Sequence, residues 1–288
     1  MDRRSDRPVV WRENGPVAWR KERRRAGGIR FAPTAVAGPA ADPVRAIWER
    51  LARPAAERGE FDPAMTTALP EPARRWLTHA IRPGTPLARA VMLGMHGQIR
   101  LRRWLAFQAV QLQAPPDGYV WAARTGLGPL HISGFDRYAD GSGQMNWRLV
   151  GRVPVLRAAG PDLDRSAAAR VALDAVFVPT AFLGQQVSWR TGPDPDVAVA
   201  EWTVGDQVLP VELHVGPHGE LRSLSMQRWG NPNGRRWAYY PCGGTLDGER
   251  EFGGITLPTR LRAGYFFGTD EWAEGEFFRA TITDAAFH

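Results

Sequence analysis

The stretch Trp104–Arg124, WLAFQAVQLQAPPDGYVWAAR, constrains this chain more than any other. Residues 104–113 carry aromatic, branched and glutamine side chains, Pro115-Pro116-Asp117-Gly118 break the run, and Tyr119-Val120-Trp121 begin another. Proline fixes φ and an Asp-Gly step tolerates positive φ, so the interruption is a turn and its flanks are two antiparallel strands. Period-two alternation puts Trp104, Ala106, Gln108, Val110 and Leu112 on one face and Leu105, Phe107, Ala109 and Gln111 on the other. On the second strand Tyr119, Trp121 and Ala123 share a face, with Val120, Ala122 and Arg124 behind them.

The same texture recurs at 90–103, 130–137 and 143–150, and again at 186–190, 197–204, 208–215, 220–228, 235–240, 246–252, 255–267 and 275–283. About a dozen strands in meander order predict a mainly β, β-rich α+β chain with one antiparallel sheet. Such a sheet hides its edges by curling into a barrel or half-barrel. A helix at 162–178 interrupts the strands: Asp162, Asp164 and Ser166 offer caps, 167–175 is alanine-rich, and Pro179 ends it. It is expected across the concave face. Two packing helices lie within 42–80. One runs over 43–59, capped by Asp42 with Val44, Ile47, Trp48 and Leu51 on one face; the other follows Leu69-Pro70 and turns Ala73, Trp76, Leu77 and Ala80 inward. Both are expected to cover the opposite face of the sheet. The chain thus divides into a disordered basic tail, 1–41, and one domain, 42–288, whose half-barrel spans 90–285.

Charge supports that division. The net charge of +7 sits entirely in residues 1–58, with 14 basic and 7 acidic residues; the remainder balances at 23 and 23. A neutral body argues against a nucleic-acid footprint on the folded domain. No apolar run approaches the roughly 20 residues that span a bilayer. The N-terminus lacks the apolar core, about 7–15 residues long, of an export signal, which points to the cytoplasm.

Trp104, Phe107, Ala109, Gln111, Pro115-Pro116, Gly118-Tyr119-Val120-Trp121 and Ala123-Arg124, continued by Asp136, Tyr138, Gly141, Gly143, Gly151, Arg170, Asp174 and Pro179-Thr180-Ala181, form an ordered pattern. Trp189, Gly219, Arg228 and Gly253-Ile255-Pro258 close it. This pattern resembles an uncharacterised bacterial domain family of unknown function, over about 70–285. Val110 stands where that family often has an acidic residue, and Asp174 where glutamate is usual. A more distant likeness is to the half-barrel carriers of lipoproteins and lipids, in which a Gln-containing strand precedes a Pro-Gly turn and an aromatic strand, and a Pro-terminated helix crosses the concave face. The resemblance implies a fold and brings no known activity.

The residues themselves point to few chemistries. His214 and His218 are separated by Gly216-Pro217, which forbids a helix and puts both at a hairpin tip, so no metal site is expected. No cofactor site is expected either, since no G-x-G-x-x-G follows a strand. Cys242 has no helix N-terminus behind it to lower its pKa, and Gly141-Ser142-Gly143 lacks the elbow of a serine nucleophile. Arg170 and Asp174, four apart on a helix, can pair directly. Asp136 and Asp140 flank Tyr138 but lie about 13 Å apart on a regular strand, too far to share a proton. Arg124 and Arg228 would need an anion if they face inward.

Twelve tryptophans and twelve phenylalanines exceed what two sheet faces need. The leading reading is therefore a non-enzymatic protein binding a hydrophobic or amphipathic small molecule in the half-barrel. Trp104, Phe107, Gln111, Trp121, Tyr138, Trp147 and Trp189 would form walls; Arg124, Asp136, Arg170, Asp174 and Arg228 would hold polar groups. An enzyme using Asp136 or Asp174 as acid or base, and an interaction module using the Arg-rich tail, are the alternatives. An open concave side would hold a pocket of roughly 300–1,000 Å³; a filled one would make the aromatics core. The aromatic excess favours the open pocket.

Overall fold

Strand pairing begins where the Pro-Pro-Asp-Gly turn dictates. β2 (Trp104–Ala114) and β3 (Gly118–Leu127) pair antiparallel with Gln111 opposite Trp121 and Ala114 opposite Gly118. β4 (Leu130–Ala139) and β5 (Ser142–Leu149) follow. They are joined by Asp140-Gly141, both at positive φ as a two-residue hairpin turn requires. The structure, a computed structural model, describes residues 31–53, 59–127 and 130–288. Residues 31–288 form one compact unit.

β1 (Val91–Arg100) lies beside β2, and β6 (Val153–Ala159) beside β5. The second run comprises β7 (Val187–Thr191), β8 (Val197–Val204), β9 (Gln207–Val215), β10 (Leu221–Gly230), β11 (Ala238–Phe252), β12 (Ile255–Tyr265) and β13 (Glu276–Phe287). All belong to one sheet in the order β6-β5-β4-β3-β2-β1-β13-β12-β11-β10-β9-β8-β7. The sheet is antiparallel and curled into a half-barrel. The meander therefore runs outward from β1 to the β6 edge, restarts at the opposite edge with β7, and returns to seat β13 against β1.

That topology explains the inserted helix. A connection from one edge to the other must cross a face, and α4 (Pro161–Asp174) does so along the concave side. Ala167, Ala168, Ala169, Val171, Ala172 and Leu173 are all buried, as in a helix enclosed on most sides. Small residues permit close approach. At Gly143 a Cβ would stand 2.8 Å from the Ala167 Cβ and from the Leu163 carbonyl oxygen, so only glycine fits beneath the helix.

The convex face is covered differently from expectation. α1 (Pro33–Ala37), a 3₁₀ segment over Gly38–Val44 and α2 (Arg45–Leu51) lay Phe31, Ala37, Ala41, Val44, Trp48 and Leu51 against Val110, Leu112, Val120, Ala122 and Phe135. The boundary expected at residue 41 thus falls inside a packed segment. The apolar outer face of β2–β4 needs cover, and the weakly hydrophobic run from Phe31, started by Pro33, supplies it. The rest of the expected tail, 1–30, lies outside the described residues. The helix expected to run to 59 ends at Leu51. α3 (Glu71–Ala80) lies on the concave side, not on the convex one, with Trp76 against Phe182 of the 3₁₀ segment Pro179–Leu183 that follows α4. Two further differences concern strands. β6 has no counterpart in the sequence reading, because its residues are exposed and do not alternate. β11 is one strand where two were expected: Pro241, Gly243 and Gly244 interrupt the hydropathy but not the ladder.

Candidate functional site

Alternation on β2 settles which side chains face inward. Phe107, Ala109, Gln111 and Gln113 look into the concave core together with Tyr119, Trp121 and Ala123 of β3. Asp136, opposite Trp121, and Trp147, opposite Gly134, extend the same face. Arg170 of α4 descends onto this surface and its guanidinium sits 4.6 Å from the Tyr119 ring centre and 5.4 Å from that of Trp121.

A polar network results. Arg170 donates to Asp136 Oδ2 at 3.3 Å and to Asp174 Oδ2 at 3.1 Å. Trp147 Nε1 donates to the other oxygen of Asp136 at 2.8 Å. Gln111 Nε2 donates to Asp174 at 2.9 Å, and Gln113 Nε2 to the Val171 carbonyl at 2.9 Å. Burial pushes the pKa of Asp136 up, against the pull of Arg170 and the Trp147 bond. Burial likewise pushes Tyr119 up to about 12. Burial disfavours the charge of Arg170, but Tyr119, Asp174 and Asp136 hold its pKa above the ordinary value. Both oxygens of Asp136 are engaged, so the arrangement locks α4 to β2–β5 as a paired buried network.

Seven of the expected site residues therefore meet: Phe107, Gln111, Trp121, Asp136, Trp147, Arg170 and Asp174. Tyr119 and Gln113 belong with them, and Gln113 was legible as the next inward position after Gln111. The other five stand elsewhere. Trp104 faces the convex side, held between Arg279, 4.4 Å from its ring centre, and Arg100 at 5.6 Å. Arg124 is exposed on that side, 3.2 Å from His131 Nδ1. Trp104 is thereby corrected as a wall and Arg124 as the holder of a polar group, because alternation opposes them to Phe107 and Trp121. Trp189 is on the far edge strand β7, where its Nε1 donates to the Phe182 carbonyl at 3.3 Å. Tyr138 lines a separate cleft of about 410 Å³ with Arg50, Arg53, Arg89, Asp117 and Asp140. Asp140 pairs there with Arg50 and is not near Asp136's partners. Arg228 does face inward, but donates to the Ser166 carbonyl at 3.2 Å beside Tyr265 and the buried Cys242, whose thiol burial pushes up.

Beneath α4 the concave face is filled. Trp121 is 2% exposed and packs against Trp147, Phe107 and Phe278 at ring separations of 5.5, 5.7 and 6.0 Å. The expectation of an open pocket at Trp121 is thereby corrected: it is core. Toward the β1–β2 and β3–β4 connections the same face is less covered. Ile99, Ile132, Leu149 and Phe278 are only half-buried there, and Leu156, opposite Trp147, is exposed. The Trp121 Nε1 beside this row has no hydrogen-bond partner among the described residues.

A family model described as a family of unknown function, DUF6544, matches residues 59–277. The chain belongs to that family. The matched DUF6544 segment takes in α3, α4 and the whole polar network, and leaves out α1 and α2. No curated protein matches. Two solved structures are similar in fold. One is a putative outer membrane lipoprotein-sorting protein domain from Vibrio parahaemolyticus, at 10% identity over 69% of this chain and 85% of that one, with a TM-score of 0.40. The other is the LolA superfamily protein NE2245 from Nitrosomonas europaea, at 12% identity over 75% of this chain and 93% of that one, with a TM-score of 0.37.

Proposed function

We propose that the protein binds an apolar or amphipathic small molecule along the less covered end of the concave face. The observation that carries this reading is the row Ile99, Ile132, Leu149, Leu156 and Phe278, apolar residues on an inward face that the helix does not fully cover. Water against such a row is unfavourable at about 25 cal/mol per Å², which a hydrocarbon chain would recover. The buried Asp136–Arg170–Asp174 network does not enter the reading as chemistry; it fixes the helix that bounds the row.

Titration with a brominated fatty acid tests this, because Trp121 and Trp147 lie under the row and report contact by quenching. Saturable quenching is expected in the natural sequence and its loss in Leu149→Asp and Leu156→Asp, with melting temperatures close to the parent. No quenching in the parent, or equal quenching in both variants, overturns the reading.

A further inference from the structure

Three hairpin connections lie at the same end of the six neighbouring strands β1–β6: those between β1 and β2, β3 and β4, and β5 and β6. Their bases are two strands apart, so they span roughly 20 Å in a row. Each presents an apolar side chain to solvent. Leu101 is 58% exposed, Leu130 71% and Val153 59%, with Val150 also exposed beside the last. Large apolar side chains at successive loop tips are not explained by packing, since they touch no core.

Basic residues flank two of the three tips. Arg102 and Arg103 follow Leu101, while Arg152 precedes Val153 and Arg157 lies farther along β6; all four are exposed. None of the four has a carboxylate partner among the described residues. No acidic residue occurs in 96–116, 118–135 or 141–161, so this end of the sheet is basic throughout. Its boundary is the β12–β13 connection, where Asp270, Glu271 and Glu274 lie; Glu271 is already paired with Arg235, and Arg100 is spent on the carbonyls of Ala273 and Glu274.

From the alignment of apolar tips with unpaired arginines we infer that this end of the sheet docks on an anionic lipid bilayer surface. Leucine and valine at the tips enter the boundary between headgroups and chains, and the arginines meet the lipid phosphates. A nucleic acid would use the arginines but has no place for protruding Leu101 and Leu130, which decides between the two polyanions. The inference stands if no small molecule binds: Val153 pairs with Leu149 of the inward row, but the side chains substituted to test it are loop-tip residues outside that row.

Sedimentation of the full chain with vesicles tests it. Binding is expected to vesicles of phosphatidylcholine with phosphatidylglycerol, to weaken with salt, and to be poor for phosphatidylcholine alone. Replacing Leu101, Leu130 and Val153 together by Ser is expected to reduce binding about tenfold or more, as is Arg102→Gln, Arg103→Gln and Arg152→Gln combined. The six side chains are exposed, so both variants should melt with the parent. Failure of the parent to bind anionic vesicles overturns the inference. So does undiminished binding of the arginine variant, which would assign the attraction to the basic run Arg20–Arg25. Loss in the arginine variant alone, with the leucine variant unaffected, would indicate non-specific polyanion attraction and also overturn it.

Discussion

Arg170 and Asp136 meet at 3.3 Å with side chains 18% and 13% exposed, and this contact joins the helix that crosses the half-barrel to the strand beneath it. Desolvating both charges is costly, and the contact persists because Asp174, Trp147 and Gln111 complete the hydrogen bonding.

Removing the arginine should therefore cost far more than an exposed pair would. Arg170→Ala leaves two buried carboxylates without a counter-charge and is expected to lower stability by about 3–5 kcal/mol. Adding Asp136→Asn and Asp174→Asn should restore part of that loss. Urea denaturation of the single and triple variants measures both. A single variant as stable as the parent would mean that water reaches the network.

Trp121→Ala is expected to cost about 3–5 kcal/mol through the cavity it leaves among Trp147, Phe107 and Phe278. Thermal melting checks this. A loss under about 1 kcal/mol would indicate that the concave face is looser than the close ring contacts imply.

The outer helices matter to the sheet they cover. A chain starting at Asp42 lacks Phe31, Ala37 and Ala41, which pack on Val110, Val120 and Phe135. It should melt several degrees below one starting at residue 31, by the usual few degrees per kcal/mol for a domain of this size. Equal melting temperatures would show that these contacts add nothing.

Much of the architecture was legible because turn chemistry and alternation are local. Pro115–Gly118 and Asp140-Gly141 mark their hairpins, and Asp162 marks the start of the helix, which ends as α-helix at Asp174 and passes into 3₁₀ turns before Pro179. The face on which a residue ends up was half legible: alternation separated Trp104 from Phe107 but could not say which side curls inward. That depends on where α4 crosses, and α4 crosses because β7 begins at the far edge, a long-range fact. Residues 31–41 were misread since small residues and two prolines carry no periodicity, yet suffice against an apolar sheet face. β6 escaped because an exposed edge strand has no buried side to alternate with. The network itself was partly visible in the i, i+4 spacing of Arg170 and Asp174; its third member, Asp136, comes from a strand and needed the fold.

Glu276 fixes one of the two arginines that hold Trp104 on the convex side, and it makes the stability of the sheet depend on acid. At the start of β13 its carboxylate accepts from Arg262 Nε at 2.6 Å and Nη2 at 3.0 Å, and from Arg279 Nε and Nη2 at 2.8 Å each. Arg279, so fixed, lies over the Trp104 ring on the convex side. Burial alone would raise the pKa of Glu276, but the bonds from Arg279 and Arg262 hold it at about 2, against an ordinary 4.5. Above pH 4.5 the carboxylate is ionised in folded and unfolded chains alike, and its full contribution is present. As pH falls from there toward 2, the unfolded chain takes up a proton that the folded one refuses, and the contribution is lost. The shift corresponds to about 2–3 kcal/mol, taken at the low end because both arginines are partly exposed. Glu276→Gln should thus be less stable than the parent by about that amount at neutral pH, with the gap closing as pH approaches 2. Denaturant melts across this range measure the gap; one that stays constant with pH would assign Glu276 a packing role, not an electrostatic one.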